Sequence, residues 1–390
     1  MTVKLIRNTQ LGLSLNNHIA VGDIGVPRYW VTVWEALNGH NYRPSTLAKR
    51  LSAIDQFYNF TTELAGSDCL DSIIANGNFD VLEQYLEAFF IRIRNTSSQT
   101  NQNHANRWLF VLDFTRDLMF RLSGASTDEG TLLDLRRKIR RLDQLYASFR
   151  PKRQAKQKKI RALPASVIEE LYQLTDPTSE KNPFRSESQR WRNQALFLLY
   201  LHLGLRRAET LALAMDAIKS EWDYSSGRKR TWVNVTTNRY SLIDPRLALP
   251  SLKTDLSNRQ IPLSQPVAQL VEFYINNFRG KQSHSYLFAS SQGKPLSVRS
   301  INRIFDVISE SLSERALNEL NNRMHSTKIS PHDCRHTCAV IRMRELISDG
   351  MDMELATQSL RVFFGWSRNS DMPRHYARAY FEERLNQVWD

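Results

Sequence analysis

Cysteine is scarce: Cys69, Cys334 and Cys338 are the only three in 390 residues, too few for a disulfide framework, and this fits a reducing compartment. Long hydrophobic runs are missing too. The longest, Ala195 to Leu205, contains His202 and stops well short of the roughly 20 residues that span a bilayer, so no transmembrane helix is expected. The segment Met1-Thr2-Val3-Lys4-Leu5-Ile6-Arg7 leads into no apolar stretch with a small-residue cleavage site, which argues against a secretory signal and for a cytoplasmic protein, associated with the nucleoid if the host is prokaryotic. There is no internal repeat, no phosphate-binding glycine loop and no carboxylate metal motif. Acid is also in deficit: 40 Asp and Glu face 53 Lys and Arg, a net charge of +13 that is too basic for an average metabolic enzyme. Hydrophobic residues nevertheless make up 41% of the chain, with 8 Trp and 18 Phe, enough for the cores of two or three domains and incompatible with a disordered or collagen-like chain.

The basic excess has an address. Residues 136–161 hold twelve Lys and Arg against the single acid Asp143, which accounts for +11 of the +13. Such a run reads either as a solvated tether or as a strap along a phosphate backbone, each contact releasing a counterion. Taken by itself it does not separate DNA from RNA or from an anionic membrane. The same stretch marks a boundary, because Phe149-Arg150-Pro151 ends a helical pattern and Lys152 to Lys159 has no apolar residue except Ala155. The expected organisation is an extension over 1–24, a helical domain over 25–149, a basic linker over 150–162 and a second domain over 163–390.

Ahead of the linker the periodicity is helical. Leu47, Leu51, Ile54 and Tyr58 follow the breaker Pro44 and the expected cap Ser45; Val81, Leu82, Tyr85, Leu86 and Phe89 form a second stripe; Trp108, Leu112, Leu118, Met119 and Leu122 form a third. These read as core. Lys49 and Arg50, off the first stripe, are candidates to face a nucleic acid, although for either residue alone a solvated surface is the more common role. Beyond the linker, helices at 165–175 and 188–203 lead to β-rich pieces at 231–235 and 260–263 before helices resume, giving an α+β domain that is mainly α with a small sheet.

Four scattered pieces of this second half could make one phosphoryl-transfer site. In Gly204-Leu205-Arg206-Arg207-Ala208-Glu209 the glycine ends a helix, and Glu209 lies three residues beyond Arg206, able to hold its guanidinium. Residues 252–263 read as a hairpin turning at Ser257-Asn258, with the amine of Lys253 on its first strand able to protonate a leaving oxygen. In Ser330-Pro331-His332-Asp333-Cys334-Arg335-His336-Thr337, His332 and Arg335 share a face at a helix N-terminus, where an anion is favoured. The alternation of His332, Cys334, His336 and Cys338 also permits a metal reading, but a helix would split it between faces, leaving the two cysteines as small core residues. The fourth piece is Gly365-Trp366-Ser367 followed by Arg374-His375-Tyr376, where a tyrosine hydroxyl becomes a plausible nucleophile once cations gather around a phosphate.

Taken in order, Gly-Leu-Arg-x-x-Glu, hairpin Lys-Thr with a downstream Arg-x-Ile-Pro-Leu, His-x-x-Arg-His-Thr, Gly-Trp-Ser and then Tyr, the pieces resemble the tyrosine recombinase or phage integrase family, specifically so from about residue 190 to 380. The resemblance implies an all-helical core-binding domain and a catalytic domain that clamp DNA. It makes Arg206 and Arg335 the ligands of the scissile phosphate, Glu209 their orienting group, Lys253 the general acid, His332 a proton-transfer partner, Trp366 the occupant of the His/Trp position and Tyr376 the nucleophile of a 3′-phosphotyrosine link. Because that link stores the phosphodiester bond, no cofactor, metal or ATP is implied. Arg207 remains an alternative to Arg206. Tyr376 follows Trp366 by ten residues where the family pattern has nine, which implies one extra residue in the Ser367–Ser370 loop, with Tyr380 as the fallback.

With DNA as the substrate, Arg150, Lys152, Arg153, Lys156, Lys158, Lys159 and Arg161 become candidate backbone contacts. The expected partners are double-stranded DNA carrying paired recombination sites and three further copies of the chain, a homotetramer formed on DNA from free monomers. Phe381, Leu385, Val388 and Trp389 give the last residues an apolar stripe that would dock on a neighbouring protomer or on its own domain. A short stretch ahead of the helical domain favours a Cre- or Xer-like two-domain clamp over the lambda-like form with an arm-binding domain. The competing readings are a type IB topoisomerase and a catalytically silent DNA-binding protein.

Overall fold

The computed structural model describes residues 3–5, 18–22, 25–96, 102–123, 129–147, 162–225, 227–241, 244–246, 250 and 257–377. The chain divides into two compact units, Met1–Lys156 and Gln157–Asp390.

In the first unit, strands β1 (Val3–Leu5) and β2 (His18–Ala20) pair antiparallel, and α1 (Tyr29–Asn38), α2 (Pro44–Ala65), α3 (Leu70–Ala75), α4 (Phe79–Asn95), α5 (Gln102–Ser123) and α6 (Glu129–Ala147) follow. Pro44 opens α2 rather than preceding it, and Arg43, not Ser45, occupies the cap; proline's missing N–H costs nothing at a first helical position. Leu47, Leu51, Ile54 and Tyr58 line the buried face of α2 against Leu82, Leu86 and Phe89 of α4 and Trp108, Leu112 and Leu118 of α5. The basic character of α6 is partly spent inside the unit, because Lys138 pairs with Asp80 and Asp134 and Arg141 with Glu83 and Glu87. Arg136, Arg137 and Arg140 stay on its exposed side.

The second unit is built around α8 (Glu187–Leu203), buried along most of its length because Ala195 to Leu201 offer no polar side chain to water. Helix α7 (Ala165–Thr175) packs on α8, and α9 (Arg207–Ala212) follows it after a break at Gly204. Strands β3 (Ile218–Asp223), β4 (Arg228–Val235) and β5 (Arg259–Pro262) make one antiparallel sheet in that order. The second strand of the expected hairpin therefore forms, yet it pairs with β4, Val233 opposite Ile261 and Val235 opposite Arg259, so that Val233, Val235 and Ile261 share the buried face. Residues 252–256, the hairpin's expected first strand, lie outside the described residues. Helices α10 (Gln265–Tyr274, prolonged by a π-helical turn at Ile275–Arg279), α11 (Val298–Glu310), α12 (Glu314–Met324), α13 (Pro331–Ser348) and α14 (Met353–Phe364) complete the unit, with a last helical turn over 372–377. Among the described residues no helix is long and apolar enough to cross a membrane.

Two local devices set the end of α8 and the start of α13. Gly204 ends α8 in the left-handed region, at φ 55°, where glycine alone is unstrained, and a Cβ there would run into the Phe364 ring. Ser330 caps α13 through a capping box in which Ser330 and Asp333 satisfy each other, with Pro331 at the first helical position.

Candidate active site

Glu209 lies on the first turn of α9 and is 1% exposed. Its carboxylate accepts the backbone N–H of Arg206 at 2.8 Å and a guanidinium N–H of the same residue at 2.5 Å. Arg259, on β5, donates to both carboxylate oxygens, at 3.2 and 3.1 Å. Arg335, on α13, stands 3.8 Å from Oε2. Burial alone would raise the carboxyl's pKa, but Arg259, Arg335 and Arg206 outweigh it and hold Glu209 at about 2. Three guanidiniums on one carboxylate leave two positive charges over, gathered from α9, β5 and α13.

The two buried arginines also grip the backbone. Arg335 donates to the carbonyls of Gly204 and Phe364, the latter at 2.9 Å, and Arg259 donates to the carbonyl of Phe363 at 2.8 Å. Those phenylalanine carbonyls end α14, where the helix dipole is negative, so cations there satisfy orphan acceptors and favourable electrostatics together. Burial, above all, and then Arg206 pull the Arg335 guanidinium below its ordinary pKa, while Glu209 supports its charge. Arg206 is the most open of the three, its side chain 23% exposed against 6% for Arg259 and 4% for Arg335. Arg207, the alternative to Arg206, is exposed and donates instead to Asn302 on α11.

Beyond the end of α14 the aromatic rings stack. Phe364 lies against Trp366 with centroids 4.7 Å apart, and Trp366 lies against Tyr376 at 5.5 Å with ring planes only 12° apart. Arg335 sits over the Phe364 ring. Tyr376 is 1% exposed, and its hydroxyl meets Nδ1 of His336 at 2.5 Å. Burial pushes the phenol above its ordinary pKa, and Arg335 acts in the opposite sense. His332, one turn before His336 on α13, is exposed, its ring edge-on to that of His336 at 4.4 Å.

The structure thus brings Arg206, Glu209 and Arg335 together and carries Trp366 and Tyr376 to the same end of α14, with His332 on the open side of α13. The alternating histidines and cysteines lie on a helix, Cys334 and Cys338 are buried with thiol pKa values raised by that burial, and among the described residues no group of three or more His, Cys, Asp or Glu could hold a metal ion. In the first unit Lys49 is exposed, whereas Arg50 pairs with Asp113 at 3.2 Å and packs over the Tyr42 and Phe110 rings. Lys253, Arg150, Lys152, Arg153, Lys156, Lys158, Lys159, Arg161, Tyr380 and the 381–390 stripe lie outside the described residues.

Sequence reasoning placed Arg259 and His336 inside its motifs but gave neither a role in the site. The signal for Arg259 was available: it stands two residues before Ile261, hence on the inward face of a strand, where an arginine requires a buried acid. His336 carried no comparable mark beyond its place in His-x-x-Arg-His.

Residues 161–383 match the phage integrase family. The curated protein "Tyrosine recombinase XerD" of Halalkalibacterium halodurans is 26% identical over 201 residues, 50% of this chain and 52% of that protein, so the chain spans about half the length of the curated relative it matches. Among solved structures, the XerH site-specific recombinase bound to difH substrate in a pre-cleavage complex aligns over 93% of this chain and 84% of its own, at 14% identity and a TM-score of 0.48. The XerA recombinase aligns over 92% and 98%, at 14% identity and a TM-score of 0.37.

Proposed function

The chain belongs to the phage integrase family, and from that membership we propose that it is a site-specific DNA recombinase of the integrase or resolvase type, cutting and rejoining DNA through a 3′-phosphotyrosine intermediate and a Holliday junction. The observation that carries the reading is the cluster of Arg206, Arg259 and Arg335 around the single carboxylate of Glu209, with a tyrosine hydroxyl at the far end of the same aromatic stack. A surplus of buried, prearranged cations is what a phosphoryl group needs as charge builds on its non-bridging oxygens.

In this reading Arg206 and Arg335 take those oxygens, and His332, exposed on the first turn of α13, hydrogen-bonds the same phosphate. The Tyr376 oxygen forms a bond to phosphorus while the bond from phosphorus to the 5′ oxygen breaks, and Lys253 gives that leaving oxygen its proton. Religation reverses each transfer. Because the bond energy is retained in the phosphotyrosine, no cofactor is consumed. Four protomers on two paired DNA sites would carry out the exchange, with the linker cations Arg150, Lys152, Arg153, Lys156, Lys158, Lys159 and Arg161 following the backbone.

The test is to incubate the protein with fragmented genomic DNA, trap covalent adducts and map the attached residue and sequence. Tyr376→Phe should abolish adducts while leaving DNA binding nearly unchanged, since one hydroxyl adds little to an interface dominated by phosphate contacts. Adducts that survive Tyr376→Phe and vanish in Tyr380→Phe would move the nucleophile to Tyr380. Relaxation of a supercoiled plasmid without site pairing would favour the topoisomerase reading.

A further inference from the structure

Tyr376 is held at both ends. Its ring lies nearly parallel to the Trp366 indole, and its hydroxyl meets Nδ1 of His336 at 2.5 Å, both residues being buried. A phenol that attacks phosphorus must lose its proton, and in this place bulk water is excluded from taking it. For Nδ1 to accept, the neutral imidazole carries its own proton on Nε2, leaving Nδ1 as a base within hydrogen-bond reach of the reacting oxygen. His332 stands one turn earlier on the exposed side of α13, with the His336 ring packed at its edge. The two histidines of α13 are thus placed for different tasks, one facing solvent where the phosphate would arrive and one facing the phenol.

Resting on the reading of Tyr376 as nucleophile, we infer that His336 is a further catalytic residue, the general base that takes the Tyr376 proton during strand cleavage and returns it during religation. The step balances: an electron pair of the phenol oxygen forms the bond to phosphorus, the proton moves to His336 Nδ1 to give the imidazolium, the bond from phosphorus to the 5′ oxygen breaks, and that oxygen is protonated by the general acid. In religation the 5′ hydroxyl gives its proton back to the group that protonated it and attacks phosphorus, the bond from phosphorus to the phenol oxygen breaks, and the imidazolium of His336 returns its proton to the leaving phenolate. No oxidant, metal or further reactant enters.

Three variants test the inference on duplex DNA carrying the site mapped by adduct trapping, under single-turnover conditions, with DNA affinity and melting temperature measured alongside. His336→Ala should slow adduct formation by roughly 10²–10⁴-fold, the range for a lost general base, and added imidazole should restore part of the rate in proportion to its concentration, by occupying the space the side chain leaves. His336→Asn places an amide oxygen near the position of Nδ1, keeping a hydrogen-bond acceptor that cannot carry a proton, and it should remain as slow as His336→Ala without any loss of melting temperature. An Asn variant that cleaves at the wild-type rate would overturn the inference and reduce the contact to a positioning hydrogen bond. Slow cleavage by His336→Ala that imidazole leaves untouched, in a protein of unaltered melting temperature, would overturn it too. Tyr376→Phe separates the two layers: adducts lost in Tyr376→Phe but formed normally by His336→Asn sink the base and leave the nucleophile standing, whereas adducts retained in Tyr376→Phe remove both.

Discussion

Arg259 faces Glu209 in a forked pair, one amino group on each carboxylate oxygen, and both side chains are almost wholly buried. Arg206 holds the same carboxylate at 2.5 Å while Arg335 stands off at 3.8 Å, so one buried acid is shared among three guanidiniums and the cluster keeps a surplus of two positive charges. Arg259→Met should therefore lower the charge of the cluster by one and slow adduct formation by about 10-fold or more. The double variant Arg259→Met/Glu209→Gln restores the surplus of two positive charges and should recover part of that loss. Recovery would mark charge balance as the cause; a double variant slower than either single one would mark Arg259 as a purely structural tie.

Glu209 sets a pH dependence. Its folded-state pKa of about 2 lies below the ordinary value of 4.5, so its ionised form stabilises the fold above pH ~4.5 and that contribution fades as pH falls toward 2. The linkage amounts to on the order of 3 kcal/mol at neutral pH. Urea unfolding of wild type and Glu209→Gln from pH 7 to pH 3 should show a stability gap that is constant down to about pH 5 and less than half as large at pH 3. A gap that widens on acidification would reverse the sign and refute the ion cluster.

Gly204→Ala should destabilise the second unit by about 1–3 kcal/mol, because alanine is strained at positive φ and its methyl group would meet the Phe364 ring. Adding Phe364→Leu should relieve the crowding but not the backbone strain. Thermal melting of the single and double variants separates the two contributions, and a neutral single variant would exclude both.

Lys253→Ala should slow strand cleavage by roughly 10²–10⁴-fold. A substrate with sulfur at the 5′ bridging position leaves without protonation and should regain most of the rate. Equal impairment on both substrates would remove Lys253 from the role of general acid.

Neutralising Lys152, Arg153, Lys156, Lys158 and Lys159 together should flatten the dependence of log K on log salt by up to roughly 4 units, at about 0.9 per phosphate contact, equally on cognate and random DNA. An unchanged slope would make the run a solvated tether. Arg136, Arg137 and Arg140, exposed on α6, provide a comparison set, since Lys138 and Arg141 of the same helix are already engaged by acids of their own unit.

Much of the fold was legible because the relevant signals are local. Helical periodicity marked Leu47, Leu51, Ile54 and Tyr58, and the helix stop at Gly204 follows from residue type. The pairing of β5 with β4 was not legible, because Val233 and Ile261 are distant in sequence and meet on a buried face chosen by tertiary packing, while the neighbouring 252–256 strand expected from sequence lies outside the described residues. The contact of His336 with Tyr376 was not legible for a similar reason, since it joins residues 40 positions apart.

The stacking of Tyr376 on Trp366 also bears on how loosely the chain can be counted. Guanidiniums on the Phe363 and Phe364 carbonyls anchor the end of α14, and flat rings carry that anchorage on to the phenol. The intervening 367–370 loop takes no part in the stack, so its length can vary while the hydroxyl keeps its address. The loop is a tether between two fixed points, and inserting one glycine into it should leave the ring stack and the Tyr376–His336 contact in place.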